Sequence, residues 1–270
     1  MRLACALALA LTVSAARAEE PIPLRYDLSV DVPVTAATFA FWGGTELLKD
    51  RLAPAQCRFC GTNALDAGAR DLLLASNVNV PRRASDVLAF AVFPAGVAAH
   101  QLLAARAAGD VGAGGRDLLF IAEAAGIAGS LNQIVKFAVG RQRPFVHYGN
   151  GTSPDRVPES DDNLSFYSGH TSLTFSLAAA AGTVSTLRGY RSAPWVWGVG
   201  MTLATAVGYL RIAGDKHYLT DVLTGAVVGG GIGVAVPLWL HGREDRPPQP
   251  GASARSAQVV PLPLGVLVLF

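Results

Sequence analysis

Residues 194–241 read PWVWGVGMTLATAVGYLRIAGDKHYLTDVLTGAVVGGGIGVAVPLWLH. Two apolar stretches, 194–213 and 220–241, flank a polar run from Arg211 to Asp221, and each is near the roughly 20 residues that cross a bilayer core as a helix. The stretch therefore predicts two membrane helices joined by a short turn. Working outward, three more apolar segments of similar length occur at 87–107, 117–139 and 171–187. Together they predict an all-α, polytopic membrane bundle of five helices, or six if the stretch 33–48 joins them. Small residues such as Ala178 to Gly182 and Gly229 to Gly231 suit close approach of helix backbones in lipid.

Composition agrees. The chain has 270 residues, of which 16% are charged and 51% apolar, with a mean hydropathy of +0.35. Soluble domains carry roughly 25% charged residues, so charge has been removed and what remains stands out. The length suits one domain. A net charge of +2 without a basic run excludes a nucleic-acid partner.

Outside the bundle the reading is more local. Residues 1–18, with Arg2, an apolar centre and Ala16-Arg17-Ala18, have the pattern of a secretory signal peptide with cleavage before Glu19. Residues 19–84 follow as an N-terminal region. Within it, 24–32 (LRYDLSVDV) alternates apolar and polar and predicts a short strand. Residues 33–48 predict a helix of about sixteen residues, short for a span and suited to the membrane interface. Residues 49–84 predict a polar, lid-like loop holding Cys57 and Cys60. Ser85-Asp86 is expected to cap the first strong helix, opening a core at 85–242. The tail, 243–270, ends in AQVVPLPLGVLVLF, a β-like segment that would pair with 24–32 or lie on the membrane.

Ionisable groups at membrane depth are costly and mark function. They form three clusters here. The first contains Lys136, Arg141 and Arg143-Pro144 at the exit of the 117–139 span; Arg141 is expected to snorkel to the headgroups. The second is Ser165-Phe-Tyr-Ser168-Gly169-His170-Thr171-Ser172, at the start of the 171–187 helix. Free amides at such an N-terminus favour an anion, although a Ser/Thr cap alone would explain the small residues. The third is Arg211, His217 and Asp221. His217 and Asp221 are four apart, so on a helix the carboxylate reaches one imidazole nitrogen and leaves the other free to attack.

In this order Lys136-x6-Arg143-Pro144, Ser168-Gly169-His170 and Arg211-x5-His217-x3-Asp221 resemble the three-part signature of the type 2 phosphatidic acid phosphatase superfamily. That superfamily includes membrane lipid phosphatases, class A acid phosphatases and vanadium haloperoxidases. The resemblance covers about 86–241. It implies that His217 is the nucleophile of a phosphohistidine mechanism, that Asp221 orients it, and that His170 is the general acid and then base. Lys136, Arg143, Ser168, Gly169 and Arg211 would hold the phosphoryl oxygens, a division that fits a reaction driven by positioning and positive charge. No metal ligand cluster and no cofactor is expected. Tyr167 stands where the family usually has proline, and Leu210 where it has serine, which removes one phosphate contact.

The alternation of span directions puts all three clusters on one membrane face, with Arg106, Arg116, Arg188, Arg191, Arg243 and Arg246 on the other, as suits a cytoplasmic side. The expected protein is thus a bacterial-type inner-membrane phosphatase whose site faces the periplasm, acting on a lipid phosphate, with oligomeric state left open. Periplasmic placement requires that 33–48 not cross if the signal is cleaved, or that it cross if the signal is retained. Cys57 and Cys60 would there be free to form a disulfide. Rival readings are a soluble periplasmic acid phosphatase and a non-catalytic transport or structural protein with a relict anion site.

Overall fold

The computed structural model describes residues 21–149 and 159–244, together with the backbone of 258–262 and 265–269. The helices are α1 (Leu28–Leu47), α2 (Lys49–Leu52), α3 (Ala64–Leu73), α4 (Asn79–Val87), α5 (Phe93–Ala107), α6 (Val111–Val139), α7 (Pro144–His147), α8 (Gly169–Arg188), α9 (Ala193–Ala213) and α10 (Leu219–Trp239). A π-helical turn, Leu88–Val92, joins α4 and α5 into one rod of 29 residues. This rod, α6, α9 and α10 are each long and apolar enough to cross a membrane. The all-α membrane bundle expected from the five apolar segments is the observed fold, with α1 as its sixth long helix.

Local chemistry sets the helix ends. Asp110 accepts from the Ala113 amide at 3.0 Å to start α6, and Gly140, at a φ of 60°, ends it with a left-handed cap. The central helix, α8, is buried along almost its whole length. Its close packing against α10 depends on glycine: a Cβ on Gly229 would lie 2.1 Å from the Ser172 carbonyl oxygen.

The N-terminal region differs from its sequence reading. Residues 24–32 are not a strand: Asp27 caps α1 by accepting from the Ser29 amide, and the helix begins at Leu28. The alternation misled because apolar side chains face outward in this bundle. Val30 and Val32 are exposed, while Asp31 is buried beside His241. Residues 33–47 are helical, as expected, within α1. It runs lengthwise beside α6 in the same direction, with Tyr26 near Arg116, Thr38 against Gly126 and Ser130, Trp42 against Gly129, and Glu46 bonded to Gln133. The described chain thus traverses the bundle six times. Leu24 forms an isolated bridge with Arg243, placing the start of α1 and the end of α10 opposite the end that holds the three clusters.

The 49–84 segment is helical over α2, α3 and the start of α4, and Ser85-Asp86 lies inside α4 instead of capping it. The tail forms its own antiparallel hairpin, Gln258–Leu262 with Gly265–Leu269. The signal-like stretch 1–18 lies outside the described residues.

Candidate active site

The three clusters meet at one end of the bundle around a cavity of about 500 Å³, lined among others by Lys136, Arg143, Gly169, His170, Arg211 and His217. Each side chain is delivered by a helix end. Lys136 projects from the last turn of α6, Gly169 and His170 open α8, Arg211 lies in the last turn of α9, and His217 sits in the turn before α10.

His217 is buried. Its Nδ1 donates to the Ser165 carbonyl at 2.8 Å, and its Nε2 accepts from Arg143 Nη1 at 3.0 Å. Those bonds select the tautomer with the lone pair on Nε2, facing the cavity. Burial, together with Arg143, Arg211 and Lys136, holds the imidazole well below its usual pKa, so it stays neutral. Asp221 Oδ2 lies 3.6 Å from His217 Nδ1, beyond hydrogen-bonding distance. It accepts instead from Ser165 Oγ at 2.6 Å and the Tyr218 amide at 2.9 Å. Its hold on His217 is therefore through Ser165 and through space.

Across the cavity, His170 Nε2 and Asp86 Oδ1 are 2.7 Å apart, and Asp86 also accepts from Arg211 Nη1 at 3.2 Å. Ser85 Oγ accepts from the same guanidinium at 3.0 Å, while Arg211 Nε is buried with no partner among the described residues. A side chain on Gly169 would have its Cβ 2.7 Å from Asn132 Oδ1 and 3.3 Å from Lys136 Nζ, so only glycine lets the α8 N-terminus approach this corner. Ser168 is not among the cavity-lining groups. Its hydroxyl is buried at the α8 cap, 2.9 Å from Thr171 Oγ1, because a side chain at the N-cap folds back over its own helix.

Arg141 does not snorkel. It is buried, donating to Asp221 Oδ1 at 2.6 Å and to Asp66 Oδ2 at 2.7 Å, because carboxylates on both sides satisfy it better than headgroups outside the bundle would. Cys57 and Cys60 form a disulfide at the cavity end of the bundle. The loop that carries it is tied to the first cluster, with the Arg58 amide donating to the Gly140 carbonyl and the Gln142 amide to the Phe59 carbonyl.

Sequence reasoning missed several cavity groups: Asp86, Asp161, Lys216, Trp42 and Glu46 from α1, and Lys49 from α2. Lys216 was signalled only by adjacency to His217, and Asp161 only by an acidic run. Nothing in the 33–48 pattern announced that α1 walls the cavity.

Parts of this chain are similar to known proteins. Residues 117–245 match the PAP2 superfamily. This segment, just under half of the chain, is similar to that family. The PAP2 segment carries all three clusters and the four helix ends that deliver them, whereas α1, α3 and α4 lie before it. A lipid A 1-phosphatase of Porphyromonas gingivalis is 32% identical over 113 residues, which is 41% of this chain and 21% of that protein. The chain thus matches only about a fifth of that relative's length. A transmembrane PAP2-type phosphatidylglycerolphosphate phosphatase from Bacillus subtilis has a TM-score of 0.48 at 16% identity, covering 76% of this chain and 93% of that one.

Proposed function

We propose that this chain is a membrane phosphatase that hydrolyses the terminal phosphate of a lipid phosphate or diphosphate monoester through a phosphohistidine. The observation that carries the reading is the His217 tautomer. A neutral imidazole has its Nε2 lone pair directed into a cavity edged by Lys136, Arg143 and Arg211, with His170 opposite. When phosphate enters, Arg143 turns from Nε2 to the phosphoryl oxygens and releases the lone pair. Nε2 then attacks phosphorus, the bond from phosphorus to the leaving oxygen breaks, and His170 supplies the proton to that oxygen. Water attacks the phosphohistidine next, giving its proton to His170, and the P–N bond breaks to restore His217. Positive side chains and the α8 amides stabilise the equatorial oxygens throughout.

The placement we propose is an inner membrane with the cavity facing the periplasm. The disulfide at the cavity end supports it, since such bonds persist in oxidising compartments. Because α1 runs from the far end to the cavity, this placement and cleavage of residues 1–18 exclude each other; the signal-like stretch would stay attached on the cytoplasmic side.

The test is phosphate release by the purified protein from a panel of lipid phosphates and diphosphates, with acid-labile, base-stable phosphoenzyme trapped during turnover. His217→Ala and His170→Ala should abolish steady release. Full turnover by His217→Ala would sink the mechanism, and hydrolysis of water-soluble esters alone would favour the general acid phosphatase reading.

A further inference from the structure

The helix α3 precedes the PAP2 segment and contributes no group to the cavity wall, yet it holds the nucleophile's loop from both sides. Asp66 and Arg70 are four residues apart and share one buried face of α3. Arg70 pairs with Asp215, two residues before His217, through two bonds of 2.6 and 2.8 Å. Asp66 accepts from the Thr220 amide at 2.9 Å and its hydroxyl at 2.8 Å, three residues after His217. Asp66 also accepts from Arg141, whose other nitrogen donates to Asp221. The chain Asp66, Arg141, Asp221, Ser165 thereby ends on the carbonyl that fixes His217 Nδ1.

We propose that α3 is a positioning clamp for His217, with Arg141 and Asp66 acting through Asp221 and Arg70 acting through Asp215. Physically, a guanidinium between two fully buried carboxylates fixes Asp221 in one rotamer and balances its charge. Asp221 then holds Ser165, and the imidazole keeps one tautomer and one angle. The opposite charges of Asp66 and Arg70 fix the register, because a shift of α3 by one turn would set Asp66 against Asp215. A nucleophile misaligned by about 1 Å is enough to lower turnover near 100-fold, so the clamp's effect should fall on kcat and leave substrate capture intact.

This inference rests on His217 being the nucleophile, and the experiment separates the two. Full-length Asp66→Asn, Arg141→Gln and Arg141→Ala proteins are purified in detergent and compared with wild type and with Leu72→Ser, an exposed α3 position outside the clamp. Expected are a fall in kcat of about 10- to 100-fold with KM unchanged, slower phosphoenzyme formation, and partial recovery of Arg141→Ala by added guanidinium; Leu72→Ser keeps wild-type turnover. Melting curves and elution volume report the folded fraction. Unchanged kcat per folded molecule in Asp66→Asn and Arg141→Gln would overturn the clamp while inactive His217→Ala upheld the phosphohistidine. Full turnover by His217→Ala would remove both. A loss of activity that merely tracks loss of folded protein, with no guanidinium rescue, reduces α3 to a structural brace and also overturns the clamp.

Discussion

Asp161 holds one edge of the guanidinium of Arg143 with two groups. Its carboxylate lies 2.8 Å from Nη2, and its backbone carbonyl accepts from Nε at 2.8 Å. Burial alone would raise the Asp161 pKa, but Arg143, Lys136 and Lys216 outweigh it and keep the group ionised far below the usual range. A permanent carboxylate therefore competes with phosphate for Arg143. Asp161→Asn is expected to tighten competitive inhibition by inorganic phosphate or vanadate about tenfold, equivalent to ~1.4 kcal/mol. Inhibition constants measured for both proteins decide it; weaker inhibition in the variant would show that Asp161 aims Arg143 instead of opposing phosphate.

Lys216 gives the pH dependence. Burial first, then the neighbouring Arg143, lowers its pKa to about 8, partly offset by Asp161. The side chain is a cation below that value and neutral above it. If it contributes attraction for the substrate, kcat/KM falls as pH rises through about 8, by at most tenfold per pH unit for a single proton. Lys216→Arg, whose charge persists to far higher pH, should flatten this limb. A profile identical in the two proteins would assign the limb to another group.

Helix packing offers a stability comparison that leaves the site alone. A Cβ on Gly229 meets backbone atoms of Ser172, whereas one on Gly231 meets nothing within 4 Å. Gly229→Ala should cost about 1–3 kcal/mol through forced separation of α8 and α10. Gly231→Ala should be neutral or stabilising by up to ~1 kcal/mol from helix propensity. Thermal unfolding in detergent reads both, and equal melting temperatures would contradict the close approach.

Topology can be read from chemistry on intact cells. With the cavity outside and α1 crossing, the mass of the purified protein should include residues 1–18, and a membrane-impermeant thiol reagent should label Cys57 and Cys60 only after reduction. A mature mass starting at Glu19 would place the cavity on the cytoplasmic side.

Much of this was legible in the sequence wherever a helix end coincided with a charge. Lys136, Arg143, His170, Arg211 and His217 each sit where an apolar run stops, and the structure brings all five to one cavity. Residues acting through others were not legible. Arg141 looked like a surface cation because its partners Asp66 and Asp221 are 75 and 80 residues distant in the chain. The cap position of Ser168 was not legible either: its hydroxyl turns back to Thr171 Oγ1 at the start of α8. The stretch 24–32 misled for a physical reason: alternation assumes water on the polar side, and here Asp31 turns inward while the valines face out.

The trough on α6 at Gly126 and Gly129 has a practical consequence. It is shaped for Thr38 and Trp42, so a shortened protein beginning at residue 117 would retain every group placed near phosphorus but expose a slot to lipid where α1 had been. Glu46 and Lys49, which form an ion pair at the cavity rim, would leave with it. The minimal unit for crystallisation, inhibitor screening or transplanting this chemistry into another bundle therefore starts upstream of α1, well before the boundary that family resemblance marks.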